Sequence, residues 1–187
     1  MPSSARLARI EARQEIGQIP IRYAIAVDSR DMESWVNLFV PDVSAGRRGR
    51  GREALRTYIE PMVAWFYRSI HLICGHQIDL GPDEGADGPT TATGKVYCRA
   101  EHEVGDRWIV MAIRYEDVYR KVDGAWLLES RKERYWYAAD VTERPQTVRF
   151  DSWDENGQKP SLPAPEGTWE QFWAAADVDA VTASPLS

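Results

Sequence analysis

An aspartate in an otherwise apolar pattern is the first residue of this chain that could do acid-base chemistry. At about 100° of rotation per helical residue, Asp28 falls on the same side as Val27 and Trp35. A buried, ionised carboxylate is costly unless hydrogen-bond donors or a cation compensate it. The sequence therefore predicts either a structural aspartate, satisfied by backbone or arginine, or a functional aspartate whose partner lies elsewhere in the chain.

The chain has three histidines that could supply such a partner, His71, His76 and His102. His71 lies at the start of a predicted strand, and strict alternation would place it and His76 on opposite faces of a sheet unless a bulge intervenes. An isolated strand histidine is commonly a hydrogen-bonded structural residue. Beside a buried carboxylate, an imidazole is instead oriented and can act as a general base near neutral pH. We expect at most one of His71 and His76 in the pocket.

The elements that must position these residues are helices first and strands afterwards. The first helix is predicted over residues 4–17, the second from Pro20, since proline is tolerated in a first turn, and the third over residues 53–65. Four long β-rich segments follow between turn signals, at approximately 68–80, 90–103, 107–122 and 125–138. Such long strands with short connections predict a curved antiparallel sheet, and the fold class is α+β with the helices on one face.

Length and composition predict one domain and an extension. A chain of 187 residues with 43% hydrophobic content can bury one good core, which we place in residues 1–140. The extension, residues 141–187, contains several prolines and is expected to be partly irregular, with a short terminal helix at 169–176. Its many large aromatic residues favour docking over the pocket or at a subunit interface, with a disordered tail as the alternative.

Charge and cysteine content exclude several classes of function. The net charge of −6 argues against a nucleic-acid partner, and we interpret the basic stretch 47–52 as a loop, with an anionic ligand as the minor alternative. Cys74 and Cys98 are not closely paired, which predicts reduced thiols and neither a disulfide framework nor a zinc site. No signal-like run or segment of 18 apolar residues is present, so we expect a cytoplasmic protein with no membrane partner.

A set of motifs, in a consistent order along the chain, resembles one protein family. The set consists of Tyr23, Asp28, Asp31, Trp35, Leu38, Phe39, Asp42, Gly51-Arg52-Glu53, Ile70-His71, Tyr115-Glu116-Asp117, Asp123-Gly124-Ala125-Trp126 and Arg131. Over roughly residues 5–138 the sequence resembles the SnoaL-like proteins of the nuclear transport factor 2 superfamily. The resemblance implies a cone-shaped, curved antiparallel sheet closed by three N-terminal helices.

Within this superfamily the sequence resembles scytalone dehydratase, bile acid 7α-dehydratase and hexachlorocyclohexane dehydrochlorinase, cofactor-free enzymes that eliminate a leaving group from a cyclic substrate. Asp28 and His71 match their catalytic dyad, and Tyr23 matches the tyrosine of the dehydratases, where the dehydrochlorinase has a lysine. Arg131 matches an arginine that faces the pocket, with a structural salt bridge as the alternative. No counterpart of a second strand histidine is assigned, because His102 lies near the far end of its strand.

The resemblance implies a lyase without cofactor or metal that acts on a hydrophobic cyclic or aromatic small molecule, and we expect a homo-oligomer, either dimer or trimer. One alternative is an isomerase of the ketosteroid isomerase type, in which Asp31, at the edge of the apolar stripe, could be the sole base. The other is a non-catalytic ligand-binding or dimerisation module. The residues expected to line the pocket, each also typical of an ordinary core, are Trp35, Phe39, Met62, Phe66, Tyr97 and Tyr115, and Asp31 is expected with them at the substrate-binding site.

Overall fold

The computed structural model describes residues 3–83 and 88–142, together with Gln171 and Ala174, which are helical. Within these residues the predicted order of three helices followed by four strands is confirmed. The elements are α1 (Ser3–Asp28), α2 (Met32–Asn37), a 3₁₀ turn (Gly46–Arg48), α3 (Arg52–Ala64), β1 (Ser69–Leu80), β2 (Thr91–Val104), β3 (Arg107–Val122) and β4 (Ala125–Asp140). The predicted docking of the extension lies outside the described residues, as does most of its predicted helix.

The first two helices differ from the prediction in their boundaries. α1 continues through Gly17 and Pro20, which were expected to end one helix and begin the next. Ile16 and Tyr23, on either side of these residues, are buried, so tertiary packing outweighs the local tendency to break the helix. α1 ends at Asp28. The chain then adopts a left-handed conformation at Arg30, with a φ of 62°, before α2 begins.

The four strands form one antiparallel sheet in the order β1-β2-β3-β4, and their ends agree with the prediction within about two residues. Register shifts interrupt the β1-β2 pair once and the β3-β4 pair twice, and such irregularities curve a sheet. The sheet is open, since its edge strands β1 and β4 do not pair with each other in the described residues. The shift in β1 lies between Ile73 and Gly75. It brings His71 opposite Ala100 and His76 opposite Val96, so both histidines lie on the face of the sheet that the helices cover.

The core lies between this concave face and the helices. Trp35 in α2 is 2% exposed, and the burial of a side chain of this size contributes about 2 to 3 kcal/mol. The chain after α2 then joins the edge of the sheet, where the Val40 amide donates to the Leu128 carbonyl at 2.9 Å. Both cysteines are free, with Cys74 exposed and Cys98 buried. In the described part of the chain, no helix combines the length and the apolar character needed to cross a membrane.

Candidate active site

A cavity of about 670 Å³ separates the helices from the concave face of the sheet. This volume is in the range of pockets that bind small organic molecules. Most of its wall is aromatic or aliphatic, and a few polar side chains converge on it from α1, β1, β2 and β4. The lining residues are Tyr23, Val27, Trp35, Phe39, Leu55, Tyr58, Ile59, Met62, Val63, Phe66, Ser69, His71, His102, Met111, Ile113, Tyr115, Arg131, Lys132, Glu133 and Tyr135.

Asp28 and His71 form a hydrogen-bonded pair at the edge of this cavity. The distance between the Asp28 carboxylate and His71 Nδ1 is 2.7 Å, and the two side chains are 22% and 9% exposed. Because an ionised carboxylate can only accept hydrogen bonds, the proton of a neutral imidazole is assigned to Nδ1. Nε2 is then the basic nitrogen of His71, which is the protonation state that a general base requires.

The Asp28 carboxylate is held by three hydrogen bonds. Besides His71 Nδ1, the His71 backbone amide donates to it at 2.8 Å and the Ser69 hydroxyl at 3.0 Å. Burial alone would raise the pKa of Asp28, but the hydrogen bonds from His71 and Ser69 lower it below its ordinary value. The Arg30 guanidinium in turn donates to the Ser69 hydroxyl at 2.8 Å and to the Phe66 carbonyl at 2.6 Å. Asp28 is therefore an ionised and fixed partner for His71.

Tyr23 and Arg131 form a second polar group in the wall. The Arg131 guanidinium lies between two rings, 4.2 Å from the centroid of Tyr23 and 4.1 Å from that of Tyr115. Burial first, and then the negative charge of Glu133, raise the pKa of the Tyr23 hydroxyl, with Arg131 partly opposing them. Tyr23 is therefore a neutral phenol that can donate a hydrogen bond, and it is not a base.

Arg131 is held by a buried ion pair with Asp117. Its Nε and Nη2 atoms donate to the two carboxylate oxygens at 2.8 and 2.7 Å, and the side chains are 4% and 0% exposed. Tyr119 also donates to Asp117, at 2.5 Å, and its hydroxyl accepts from His76 Nε2 at 3.1 Å. Arg131 therefore forms the structural salt bridge that the sequence analysis gave as the alternative to a pocket-facing role. Its Nη1 atom, however, is buried and has no hydrogen-bond partner among the described residues, and Arg131 is one of the residues that line the cavity.

His102 is a site residue that the sequence analysis did not assign. It lies on β2 opposite Ser69, lines the cavity and is 4% exposed. Its ring packs against Phe66 at an angle of 42°, with 4.2 Å between the centroids, and Nδ1 is buried without a hydrogen-bond partner in the described part of the chain. Burial, followed by the charge of His71, lowers the pKa of His102 to about 3. A neutral imidazole therefore lies in the cavity wall beside the dyad.

Most of the residues expected at the site are brought together there. Eight line the cavity, namely Tyr23, Trp35, Phe39, Met62, Phe66, His71, Tyr115 and Arg131, and Asp28 lies directly behind His71. His76 shares their face of the sheet but is not one of the lining residues. Within residues 3–83 and 88–142, no group of three or more histidine, cysteine or acidic side chains is arranged to hold a metal ion.

Two of the expected lining residues lie elsewhere, and these predictions are wrong. Asp31 is exposed and caps α2, where its carboxylate accepts from the Ser34 amide at 3.0 Å. The break in the helix at Arg30 shifts Asp31 out of the phase that a continuous helix would have given it. Tyr97 is 45% exposed, because residues of β2 alternate and those with even numbers face the helices.

Comparison with known proteins agrees with this architecture. A candidate scytalone dehydratase from Novosphingobium aromaticivorans is 23% identical over 74% of this chain and 93% of that chain, with a TM-score of 0.59. Hexachlorocyclohexane dehydrochlorinase LinA-type3 from Novosphingobium barchaimii is 19% identical over 74% of this chain and 96% of the dehydrochlorinase, with a TM-score of 0.61. A protein of unknown function from Mycobacterium tuberculosis is 24% identical over 79% of this chain and 87% of that protein, with a TM-score of 0.58.

These likenesses establish the fold. The curated proteins contain no match to the sequence. The family model described as the SnoaL-like domain matches residues 8–132, a span that includes both members of the dyad, His102 and Arg131. The predicted resemblance is confirmed, and the chain belongs to the family of SnoaL-like domains.

Proposed function

We propose that this protein is a cofactor-independent lyase that removes water from a hydrophobic cyclic small molecule. The observation that carries the proposal is the 2.7 Å contact between the Asp28 carboxylate and His71 Nδ1, beside a largely apolar cavity of about 670 Å³. Similarity in fold to a candidate scytalone dehydratase and to a dehydrochlorinase supports elimination as the type of reaction. Both names describe loss of a small group from an organic substrate.

The proposed reaction begins with proton transfer to His71. Nε2 takes a proton from a carbon that a neighbouring carbonyl or ring makes acidic, and Asp28 stabilises the imidazolium that forms. The electron pair of the broken C–H bond becomes part of a new carbon-carbon double bond, while the adjacent C–O bond breaks. The departing hydroxyl takes the proton from the imidazolium and leaves as water, which restores the neutral dyad.

Three other polar groups can stabilise charge during this reaction. The Tyr23 hydroxyl remains protonated and can donate to an enolate oxygen or to the departing hydroxyl. Neutral His102 offers a second hydrogen-bonding group beside His71, and Arg131 Nη1 offers a cationic donor in the same wall. Because the cavity is largely apolar, these few interactions are stronger than they would be in water.

The proposal is tested by incubating the purified protein with a panel of cyclic hydroxyketones and measuring product masses. Loss of the mass of one water, dependent on His71, is the expected result. A product of unchanged mass with an altered absorption spectrum would instead identify an isomerase that uses the same base. Absence of turnover across the panel, with tight binding of the same compounds, would favour a ligand-binding module.

A matched pair of variants tests the assignment of the dyad. Asp28→Asn should reduce turnover strongly, because an amide can present its NH₂ group to Nδ1 and favour the wrong tautomer. Asp31→Asn makes the same chemical change at an exposed helix cap three residues away and should leave turnover close to that of the wild type. The opposite ranking would show that a single carboxylate, rather than the dyad, supplies the base.

A further inference from the structure

A second cavity, of about 560 Å³, adjoins the first. The two share four lining residues, Phe39, Leu55, Tyr58 and Arg131. The remaining wall of the second cavity comes from the loop before α3 and from β4. Its other lining residues are Val43, Ser44, Ala45, Gly46, Arg47, Arg48 and Ser130. The second cavity is thus lined by three arginines and two serines, and no carboxylate of the described part of the chain lines it.

Among the described residues, no acidic side chain is paired with either of the two loop arginines. Arg47 and Arg48 are both exposed, and neither forms an ion pair within the described ranges. Arg48 lies over the ring of Tyr58, with 4.3 Å from its guanidinium carbon to the ring centroid, which directs it toward the boundary of the two cavities. In contrast, the nearby Arg50 is paired with Asp42 at 3.3 Å and does not line the cavity.

Arg131 adds a buried donor at this boundary. The rings of Tyr23 and Tyr115 cover its guanidinium, and its Nε and Nη2 atoms donate to Asp117. The remaining nitrogen of the guanidinium is Nη1. That atom is buried and has no hydrogen-bond partner among the described residues. An unpaired N–H group of a charged guanidinium is costly to bury unless a ligand accepts from it. The protein as a whole has a net charge of −6, whereas this wall contains three arginines and is positively charged.

We infer that the second cavity is an anion subsite, and that the substrate is a cyclic molecule carrying a carboxylate on the side away from the bond that breaks. This inference rests on the proposed function for the position of the reacting carbon beside His71. The ring of the substrate occupies the apolar cavity, and its carboxylate passes Tyr58 to reach Arg47 and Arg48, with Arg131 at the boundary. Guanidinium groups suit this ligand because they match the geometry of a carboxylate.

Calorimetric titration with a matched pair of probes, 2-naphthoate and 2-naphthamide, tests the subsite without requiring turnover. The two probes share their ring and differ in charge. Wild-type protein should bind the acid about tenfold or more tightly than the amide, and added salt should reduce the difference because part of the attraction is screened. Equal affinities for the two probes would overturn the inference.

Two variants of the same loop locate the preference, one that removes the two cavity arginines and one that removes a single arginine outside the cavity. The double variant Arg47→Gln/Arg48→Gln should lose most of the preference for the acid, while Arg50→Gln, in the same loop, should retain it. A comparable loss in both proteins would mean that general surface charge attracts the acid, and a preference unchanged in the double variant would place its origin elsewhere. Either result contradicts the subsite.

Two further measurements distinguish binding at the subsite from binding at the dyad and from binding of a free anion. His71→Ala should keep the preference for the acid although it removes the proposed base, so loss of the preference in that variant would mean that the acid binds the dyad. Inorganic phosphate, added alone, should bind much more weakly than 2-naphthoate. Equal binding of phosphate would identify a site for a free anion and overturn the substrate class. Acid preference without any elimination would refute only the proposed function.

Discussion

The imidazole rings of His102 and His71 meet nearly at right angles, with 5.4 Å between the ring centroids and 87° between the ring planes. Two charged imidazoles at this separation would repel each other. Burial and the charge of His71 lower the pKa of His102 to about 3, so His102 remains neutral at the pH at which His71 would work. His71 can therefore gain a proton from a substrate beside a neighbour that can form a hydrogen bond but adds no charge.

Replacement of the proposed base should affect turnover far more than stability. We expect His71→Ala to reduce the rate by about 10² to 10⁴, the usual contribution of a general base. Asp28→Asn should cause a comparable loss, and the double variant should be little worse than either single one, because the two residues act as one unit. The measurement is kcat for variants whose circular dichroism matches the wild type. Independent, multiplicative losses would contradict the dyad.

Removal of the Tyr23 hydroxyl should have a smaller effect. Tyr23→Phe keeps the ring that packs against Trp35 and Arg131, and it removes one hydrogen-bond donor while the base remains. We expect turnover to fall by about 10 to 10³. Steady-state kinetics on the substrate found in the hydroxyketone panel would check this range. A loss equal to that of His71→Ala would make Tyr23 essential for the proton transfer itself.

The architecture was predictable because local signals and tertiary packing agree over the strands. Alternation and the turn at Asp123-Gly124 place the strand ends within about two residues. The helices were less predictable, since Gly17 and Pro20 are local breakers that the buried face of α1 overrides, and the actual break at Arg30 has no comparable signal. The misplacement of Asp31 follows directly from that missed break.

The site was predictable only where the sequence carries a local signal or a family motif. Asp28, His71, Tyr23 and Arg131 follow from an unusual carboxylate and from family resemblance, but the meeting of His71 with His102 on one face depends on an extra residue in β1. Leu80 pairs with Ala92, and without the register shift before Gly75 that pairing would place His71 opposite Glu101, on the face of the sheet away from the helices and from His102. The sequence carries no clear mark of this shift. The expected homo-oligomer stays a prediction.

The lowered pKa of His102 predicts how stability depends on pH. Because the folded value of about 3 lies below the ordinary value of 6.5, the unfolded chain binds a proton more readily between these limits. The contribution to stability is therefore complete above pH 6.5 and is lost as pH falls toward 3, by at most about 1.4 kcal/mol per pH unit. His71, Asp28 and Arg30 are the charged groups that influence His102, and His76, whose pKa burial also lowers, acts in the same direction.

His102→Phe isolates this contribution, since phenylalanine cannot titrate and preserves a ring beside Phe66. Urea unfolding of both proteins between pH 4 and 7 should give a shallower loss of stability for the variant. Carbon-13 NMR of the imidazole should in addition show His102 neutral at pH 5. A His102 signal that titrates near pH 6.5, or equal slopes for the two proteins, would contradict its burial as a neutral group.

The ion pair between Asp117 and Arg131 predicts the largest loss of stability from a conservative change. Burial alone would lower the pKa of Arg131, but Asp117 raises it above its ordinary value, so the guanidinium remains charged inside the protein. Asp117→Asn keeps the shape and removes the compensating charge, which should cost about 3 to 5 kcal/mol in the free energy of unfolding. The measurement is urea denaturation at neutral pH.

Two controls make that result specific to burial. Glu60→Gln is the same type of change in the exposed pair with Arg56, at 2.6 Å, and should have little effect. The double variant Asp117→Leu/Arg131→Met removes both charges and should be clearly more stable than Asp117→Asn, because no isolated buried charge remains. If Asp117→Asn lowers the free energy of unfolding as little as Glu60→Gln does, solvent must reach the Arg131 guanidinium. Arg131 would then not be a buried donor for a ligand at the boundary of the two cavities.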